Sequence, residues 1–291
     1  MGIKKLKTTF ITYGTSNYGL QKKHLLNLAD KSRFFDESYS FGPRDISPEF
    51  YNKHKEVFQF KKGGGYWIWK FQIIKQCLDQ LKDGDVLIYS DSGSSLNKSG
   101  EARFKDYIDM IESSDYSMIR FKIDYLEKYW TTKEIFNFFD INLDSEIANS
   151  NQYLAGHLIM KKTESLLEQF EKFNELLNFN NLLITDKYDK NQIPGFVQNR
   201  HDQSIFSLIS KIYGCIELEN EVWFKDNPND QYNYPFLAVQ QGKYSFYEKI
   251  KFYSKYKKHI NSTIYFGEKI YSYQKPSIVK RVNFKIKTYK D

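Results

Sequence analysis

Cysteine is nearly absent, with only Cys77 and Cys215 in 291 residues. Two thiols exclude a disulfide framework and a thiolate zinc cluster. Cys77 falls on the apolar side of a helical pattern and reads as a buried thiol. No segment approaches the roughly 20 consecutive apolar residues of a membrane-spanning helix. The opening MGIKKLKTTFITYG has basic residues but no separate apolar stretch and no small-residue cleavage site, so this stretch is not expected to act as a signal peptide. Lys5 and Leu6 stand where a myristoylation signal wants Ser or Thr. A cytoplasmic protein is expected. Alanine is scarce, whereas Tyr (23) and Phe (24) are abundant alongside Lys, Asn and Ile. An AT-rich genome produces that bias without selection, so aromatic abundance alone does not point to a ligand.

What is present suits a globular chain: 41% hydrophobic and 27% charged residues. The net charge of +7 is concentrated at one end. From Gln241 to Asp291 there are 13 basic and 3 acidic residues, whereas the preceding stretch has 30 basic and 33 acidic. Residues 1–242 are therefore expected to form the main domain, and 243–291 a basic, aromatic-rich appendage. The appendage carries Tyr244, Phe246, Tyr247, Ile250, Phe252 and Tyr253 among its lysines. Such a stretch either meets an anionic surface, such as a membrane with a lipid-linked acceptor, or packs back as a C-terminal helix.

The main domain alternates strand and helix patterns. Thr8 to Tyr13 is β-prone and ends at Gly14. Residues 68–81 place Ile74, Cys77, Leu78 and Leu81 on one helical face. Lys82 to Asp85 breaks that helix, and Val86 to Ser90 reads as a buried strand. Phe104, Ile108 and Ile111 mark the next helix, followed by a strand near Met118 to Ile123. Tyr153 to Met160 reads as a strand around Ala155-Gly156. Leu166, Leu167, Phe170, Phe173 and Leu177 predict a helix after Thr163. The polar stretch 179–200 reads as a surface excursion. Ile205, Phe206, Ile209 and Ile212 form a last helix opened by His201-Asp202-Gln203. This succession predicts an α/β fold with a mostly parallel central sheet flanked by helices.

In open α/β sheets, ligands sit at the carboxyl ends of strands. Three places qualify. Tyr13, Gly14, Thr15 and Tyr18 come at the end of the first strand, where a glycine admits a nucleoside and a tyrosine can stack on its base; taken alone, these residues read first as a simple β-turn. Tyr89-Ser90-Asp91-Ser92-Gly93 follows the strand VLIYS. Asp91 is placed either to hold Mg²⁺ or Mn²⁺ beside phosphate oxygens or to cap a turn. Gly63-Gly64-Gly65, with Lys70 one turn on, can present backbone N–H groups to phosphate or serve as a loose loop. It is not a Walker A loop. Trp67 and Trp69 are expected to pack.

The string DGDVLIYSDSG (Asp83 to Gly93) resembles the region around the DXD motif of glycosyltransferase family 8. The longer run GGGYWIWKFQIIKQCLDQLKDGDVLIYSDSGSSLN is similar to DXD-type transferases of polysaccharide loci and large DNA viruses. Matching positions are Gly65 to Lys70, Tyr89 to Gly93, Gln152 with Ala155-Gly156, and Arg200 to Ser204. The resemblance covers roughly residues 8–212 and implies a GT-A fold, a nucleotide-sugar donor (UDP favoured) and a glycan, protein or lipid-linked acceptor. No nucleic acid is expected as a partner. It also implies that Thr12, Tyr13, Gly14 and Tyr18 cradle the nucleoside, and that Tyr89, Ser90, Asp91, Ser92 and Gly93 form the metal and ribose element, with Asp91 as metal ligand. Lys70 falls near the donor phosphates, Ala155-Gly156 lines the sugar site, and Asp202-Gln203 lies at the transferred sugar. Asp202 or His201 is the candidate general base for an inverting reaction, and retaining chemistry is what family 8 similarity implies.

The chain departs from the pattern where Gly93 replaces the last acid, Phe71 stands where proline is common, and no late His-containing motif forms around His259 and Gly267. His157 or His201 would be a further metal ligand, although a lone histidine is more often structural. Other readings are a nucleic-acid-binding protein or nuclease using the basic end, a nucleotidyltransferase, or an inactive scaffold.

Overall fold

The computed structural model describes residues 6–223, 233–238 and 264–265. They fall into two compact units: one drawn from Met1–Pro43, Ile88–Glu112 and Glu221–Asp291, the other from Arg44–Leu87 and Ser113–Asn220. Strands are numbered β1 (Thr8–Tyr13), β2 (Glu37–Phe41), β3 (Val86–Ser90), β4 (Ser95–Asn97), β5 (Met118–Leu126), β6 (Asn151–Tyr153), β7 (His157–Lys161), β8 (Ile216–Leu218), β9 (Phe236–Leu237) and β10 (Ile264–Tyr265).

In the first unit the strand order is β2–β1–β3. Every residue of β1 is buried, as expected of a strand covered on both faces. β1 and β2 run parallel, from Thr9 opposite Glu37 to Tyr13 opposite Phe41, with the helix Gly19–Ser32 as the crossover. The carboxylate of Asp36 closes the base of this βαβ unit by accepting from the Thr8 amide at 2.8 Å and its hydroxyl at 3.0 Å. A separate antiparallel sheet is ordered β10–β4–β9. The helix Glu101–Ser113 buries Phe104, Tyr107 and Ile111. Tyr107, rather than the half-buried Ile108, completes its apolar stripe because the phenol donates to Glu221, which also receives the fork of Arg103 at 2.6 and 2.9 Å.

The second unit is built on β5. β5 pairs with β7 and β6 in antiparallel fashion and with β8 in parallel. The α/β architecture read from the sequence is present, with parallel and antiparallel pairings in its sheets. The single strand expected over Tyr153 to Met160 is interrupted at Leu154–Gly156, between β6 and β7. Arg120, fully buried in the middle of β5, takes the Leu154 carbonyl at 3.2 Å and so removes it from a ladder.

Three helices, Ile68–Gln80, Glu164–Asn180 and Asp202–Tyr213, pack through an aromatic cluster. The Phe173 ring lies 4.9 Å from Phe71 and 4.7 Å from Phe206. The Thr163 hydroxyl caps the Glu164–Asn180 helix by accepting from the Leu166 amide at 3.1 Å. The Asp202–Tyr213 helix is buried all round from Asp202 to Ser210, whereas Ile212, expected on its apolar stripe, is 43% exposed. Cys77 is half-buried rather than fully buried, and burial pushes its thiol up to about 12. No described helix is long and apolar enough to cross a membrane.

The boundary expected at Gly242, the tail aromatics Tyr244, Phe246, Tyr247, Ile250, Phe252 and Tyr253, and His259 and Gly267 lie outside the described residues. Within 243–291 the described pair Ile264–Tyr265 forms β10 against β4.

Truncating Phe173 to Ala should cost about 3–5 kcal/mol in urea unfolding, because transfer and cavity terms add. Truncating Phe179, which is 72% exposed, should cost less than about 1 kcal/mol. Similar losses at the two positions would contradict the packing described.

Candidate functional site

In the first unit the strand-end residues gather as the period of a strand requires. Tyr89 and Asp91 are two apart and share a face, and the buried Tyr89 phenol donates to Asp91 Oδ1 at 2.6 Å. The Ser94 amide closes a turn onto the Asp91 carbonyl at 2.9 Å, so Asp91 both makes a turn and presents a half-buried carboxylate. Ser90 and Ser92 are buried beside it. A side chain at Gly14 would meet Tyr18 Cβ at 3.1 Å and Ser92 Oγ at 3.3 Å, which brings the ends of β1 and β3 together and explains the glycine. Tyr18 is 36% exposed in the turn after β1, whereas Thr12 and Tyr13 are buried within it. Gly93 is half-buried in the turn. A cavity of about 430 Å³ elsewhere in this unit is lined by Phe34, Phe35, Phe104 and Ile108 among others, and by none of the sequence-derived site residues.

In the second unit Lys70, Ala155, Asp202 and Gln203 meet. The Lys70 ammonium lies 2.6 Å from Asp202 Oδ2 and donates to the Ala155 carbonyl at 3.1 Å. Their side chains are only 3% and 7% exposed. Lys70 thus spends its charge on Asp202 and a carbonyl rather than standing open for phosphate. Asp202 is the first residue of its helix, where the positive end of the helix dipole favours a carboxylate. Gln203 is locked as well: Oε1 accepts from the Ala155 amide at 3.3 Å and Nε2 donates to Gln152 Oε1 at 2.7 Å. Gln152 in turn donates to Thr131 Oγ1 at 3.1 Å. Gly156 is half-buried at the break between β6 and β7, and His157 is buried on β7.

Two of the three amides of the glycine run are spent on the chain's own carbonyls. Gly63, Gly64 and Gly65 have φ of 57°, 62° and 96°, and the amides of Gly64 and Gly65 turn back to carbonyls of Phe60, Lys61 and Lys62. The left-handed run continues through Tyr66 and Trp67 and places both rings on His201, at 4.8 and 5.4 Å between centroids. Trp69 packs, donating to the Gly63 carbonyl at 2.8 Å. Among the described residues, no group of three or more His, Cys, Asp or Glu is placed to hold a metal ion, so neither His157 nor His201 completes such a set.

Sequence reasoning missed two buried polar clusters in this unit. Glu127, fully buried, accepts from Thr131 Oγ1, Ser207 Oγ and the Lys211 ammonium, and burial lowers the pKa of that ammonium. Arg120 donates to Phe206 O, Ser210 Oγ and Leu154 O. An arginine inside the apolar run MIRFKI was the available signal for the second.

Replacing Lys70 by Met strands a buried carboxylate and should cost roughly 3–5 kcal/mol. The double replacement with Asp202→Leu should recover a large part of that in urea titration, and additive losses would argue against the pair. Burial also holds the imidazoles of His54 and His201 down at about 4, from an ordinary 6.5. The unfolded chain then binds protons that the folded chain does not, so stability falls as pH drops from about 6.5 towards about 4. The melting temperature should decline over that window, less steeply in His54→Gln; parallel curves would contradict the assignment.

No protein-family model and no curated protein matches the chain. Solved structures similar to it include a glycosyltransferase involved in the glycosylation of the major capsid of PBCV-1. That pair is 11% identical, with 84% of this chain and 96% of the other covered at a TM-score of 0.46. The apo-form glycosyltransferase GlyE of Streptococcus pneumoniae is 13% identical, covering 98% of this chain and 62% of its own, with a TM-score of 0.41. Mouse xyloside xylosyltransferase 1 is 10% identical, covering 78% and 92%, with a TM-score of 0.40.

Proposed function

We propose that the chain transfers a sugar from a nucleoside diphosphate donor, with UDP favoured, to a hydroxyl of a glycan, protein or lipid-linked acceptor. The observation that carries this reading is Asp91 at the carboxyl end of β3, its carboxylate held by the Tyr89 hydroxyl at 2.6 Å beside the Gly14–Ser92 approach. That arrangement suits a nucleotide: Tyr18 supplies an exposed ring for the base and Gly14 a backbone free of a side chain. Asp91 is a half-buried carboxylate, a hard-oxygen ligand of the kind that would share Mg²⁺ or Mn²⁺ with phosphate oxygens and water rather than build a closed protein cage. When bound, such an ion supplies positive charge to the departing diphosphate.

In the second unit, taken by itself, Asp202 is assigned, from its position in the motif, the role of the carboxylate associated with the transferred sugar. The Lys70 ammonium sits 2.6 Å from this carboxylate and places a positive charge beside it. Gln203 has both amide ends fixed and offers a preset hydrogen-bonding edge. The anomeric bond to the diphosphate breaks, the acceptor oxygen bonds to the anomeric carbon, and the acceptor proton leaves with a base. Cytoplasmic residence belongs to the same proposal, with the basic stretch 243–291 meeting an anionic membrane surface.

The test is a panel of nucleotide sugars with and without Mn²⁺, read first by thermal shift, since a ligand well above its Kd stabilises by RT ln(1 + [L]/Kd). Turnover with the cognate donor should release a nucleoside diphosphate; release of pyrophosphate would instead indicate nucleotidyl transfer. Asp91→Asn should lower turnover at least about 100-fold with unchanged circular dichroism. Full activity in that variant would remove Asp91 from the site.

A further inference from the structure

The backbone entering the Asp202–Tyr213 helix is under strain at one residue. The Gln203 amide donates to the Arg200 carbonyl at 3.1 Å, closing a four-residue turn with His201 at its second position. His201 has φ 60° and ψ −123°, the geometry of a type II′ turn, in which that position strongly favours glycine. A histidine there holds a conformation unfavourable for an L-residue, which persists only when its surroundings over-determine it. Here they do. The ring is 5% exposed and lies against Tyr66 and Trp67, themselves at φ 50° and 61°.

Nδ1 lies 2.8 Å from the Ile184 carbonyl, which can only accept, so that nitrogen carries the hydrogen. Nε2 lies 3.5 Å from Asp186 Oδ1, and the other oxygen of Asp186 pairs with Lys62 at 2.8 Å. The backbone is tied to the same segment: the His201 amide donates to Asn199 Oδ1 at 3.2 Å, and Asn199 Nδ2 donates to the carbonyls of Leu183 and Thr185, each at 3.0 Å. The next residue is Asp202, whose carboxylate meets Lys70.

We propose that His201 is a positioning residue rather than a proton-transfer group: it clasps the turn so that the Asp202 carboxylate is aimed at Lys70 and fixed there. The Nδ1 edge and the amide are occupied by structure, the ring packs against Tyr66 and Trp67, and with its hydrogen on Nδ1 the neutral ring has no Nε2 hydrogen to give Asp186 at 3.5 Å. Burial and the nearby Lys62 charge keep the imidazole neutral, which suits a clasp. The inference rests on the reading of Asp202 as the site carboxylate only for its kinetic consequence; the structural consequence stands without it.

The informative variant is His201→Gly, which removes the ring while suiting the turn, so the fold is retained in far-ultraviolet circular dichroism. The first readout is the Lys70 side-chain ammonium by ¹⁵N NMR, assigned by its loss in Lys70→Met. A slowly exchanging signal in the parent chain that is lost in His201→Gly supports the clasp, and an unchanged signal overturns it. This readout needs no substrate, so it still decides the matter if no nucleotide sugar is ever turned over.

With a cognate donor, His201→Gly should lower kcat roughly 100-fold, the scale of an ångström-sized misplacement, and leave the shape of the pH–rate profile intact. In an Asp202→Asn background it should cost less than about threefold, because the two act through one group. Additive losses, or the disappearance of one limb of the profile, would overturn the proposal. Asn199→Ala loosens the same turn from its backbone side. It should give a smaller loss with the same dependence on Asp202, and additivity there would equally overturn it.

Discussion

A carboxylate and an ammonium withdrawn from water together are tolerable only if the surrounding structure holds them in register. The contact between Lys70 and Asp202 sets that requirement for the second unit. Lys70 comes from the first turn of one buried helix and Asp202 from the first residue of another. The break between β6 and β7 frees the Ala155 carbonyl to accept from the ammonium and its amide to meet Gln203. The aromatic cluster of Phe71, Phe170, Phe173 and Phe206 keeps the two helices at the distance this contact needs. Packing here serves electrostatics: the helices could slide by a fraction of an ångström at small apolar cost, but not without exposing an unmatched charge.

The first unit answers to a simpler constraint. Its strand ends carry few charges, and the geometry of Asp91 follows from strand periodicity, a buried phenol and a turn. Glycine suits position 14 because a side chain there would crowd Tyr18 and Ser92, at 3.1 to 3.3 Å.

Much of this was legible in the chain itself. β1 and β3 were readable as short β-prone runs bounded by turn residues, and the helices Ile68–Gln80 and Glu164–Asn180 from their apolar spacing and, for the latter, its threonine cap. Reading failed where tertiary contacts decide. The break at Leu154–Gly156 goes with a carbonyl taken by a guanidinium over thirty residues away in sequence, and the amides of Gly64 and Gly65 find nearby carbonyls. Of the candidate residues, Asp91 was visible as a carboxylate at a strand end of the first unit, and Asp202 and Gln203 as polar types at a helix start of the second. The partners of His201 were not, because Tyr66, Trp67, Ile184 and Asp186 come from two separate segments whose meeting no local pattern encodes.

The unequal burial of two neighbouring ion pairs has a consequence for ionic strength. Lys62 and Asp186, on the Nε2 side of the His201 ring, are 44% and 37% exposed, within reach of dissolved ions and their Debye screening. Lys70 and Asp202 are shielded from it. Concentrated salt therefore weakens the outer pair and leaves the inner one intact, so the electrostatics around Asp202 stay nearly constant across media that differ widely in electrolyte.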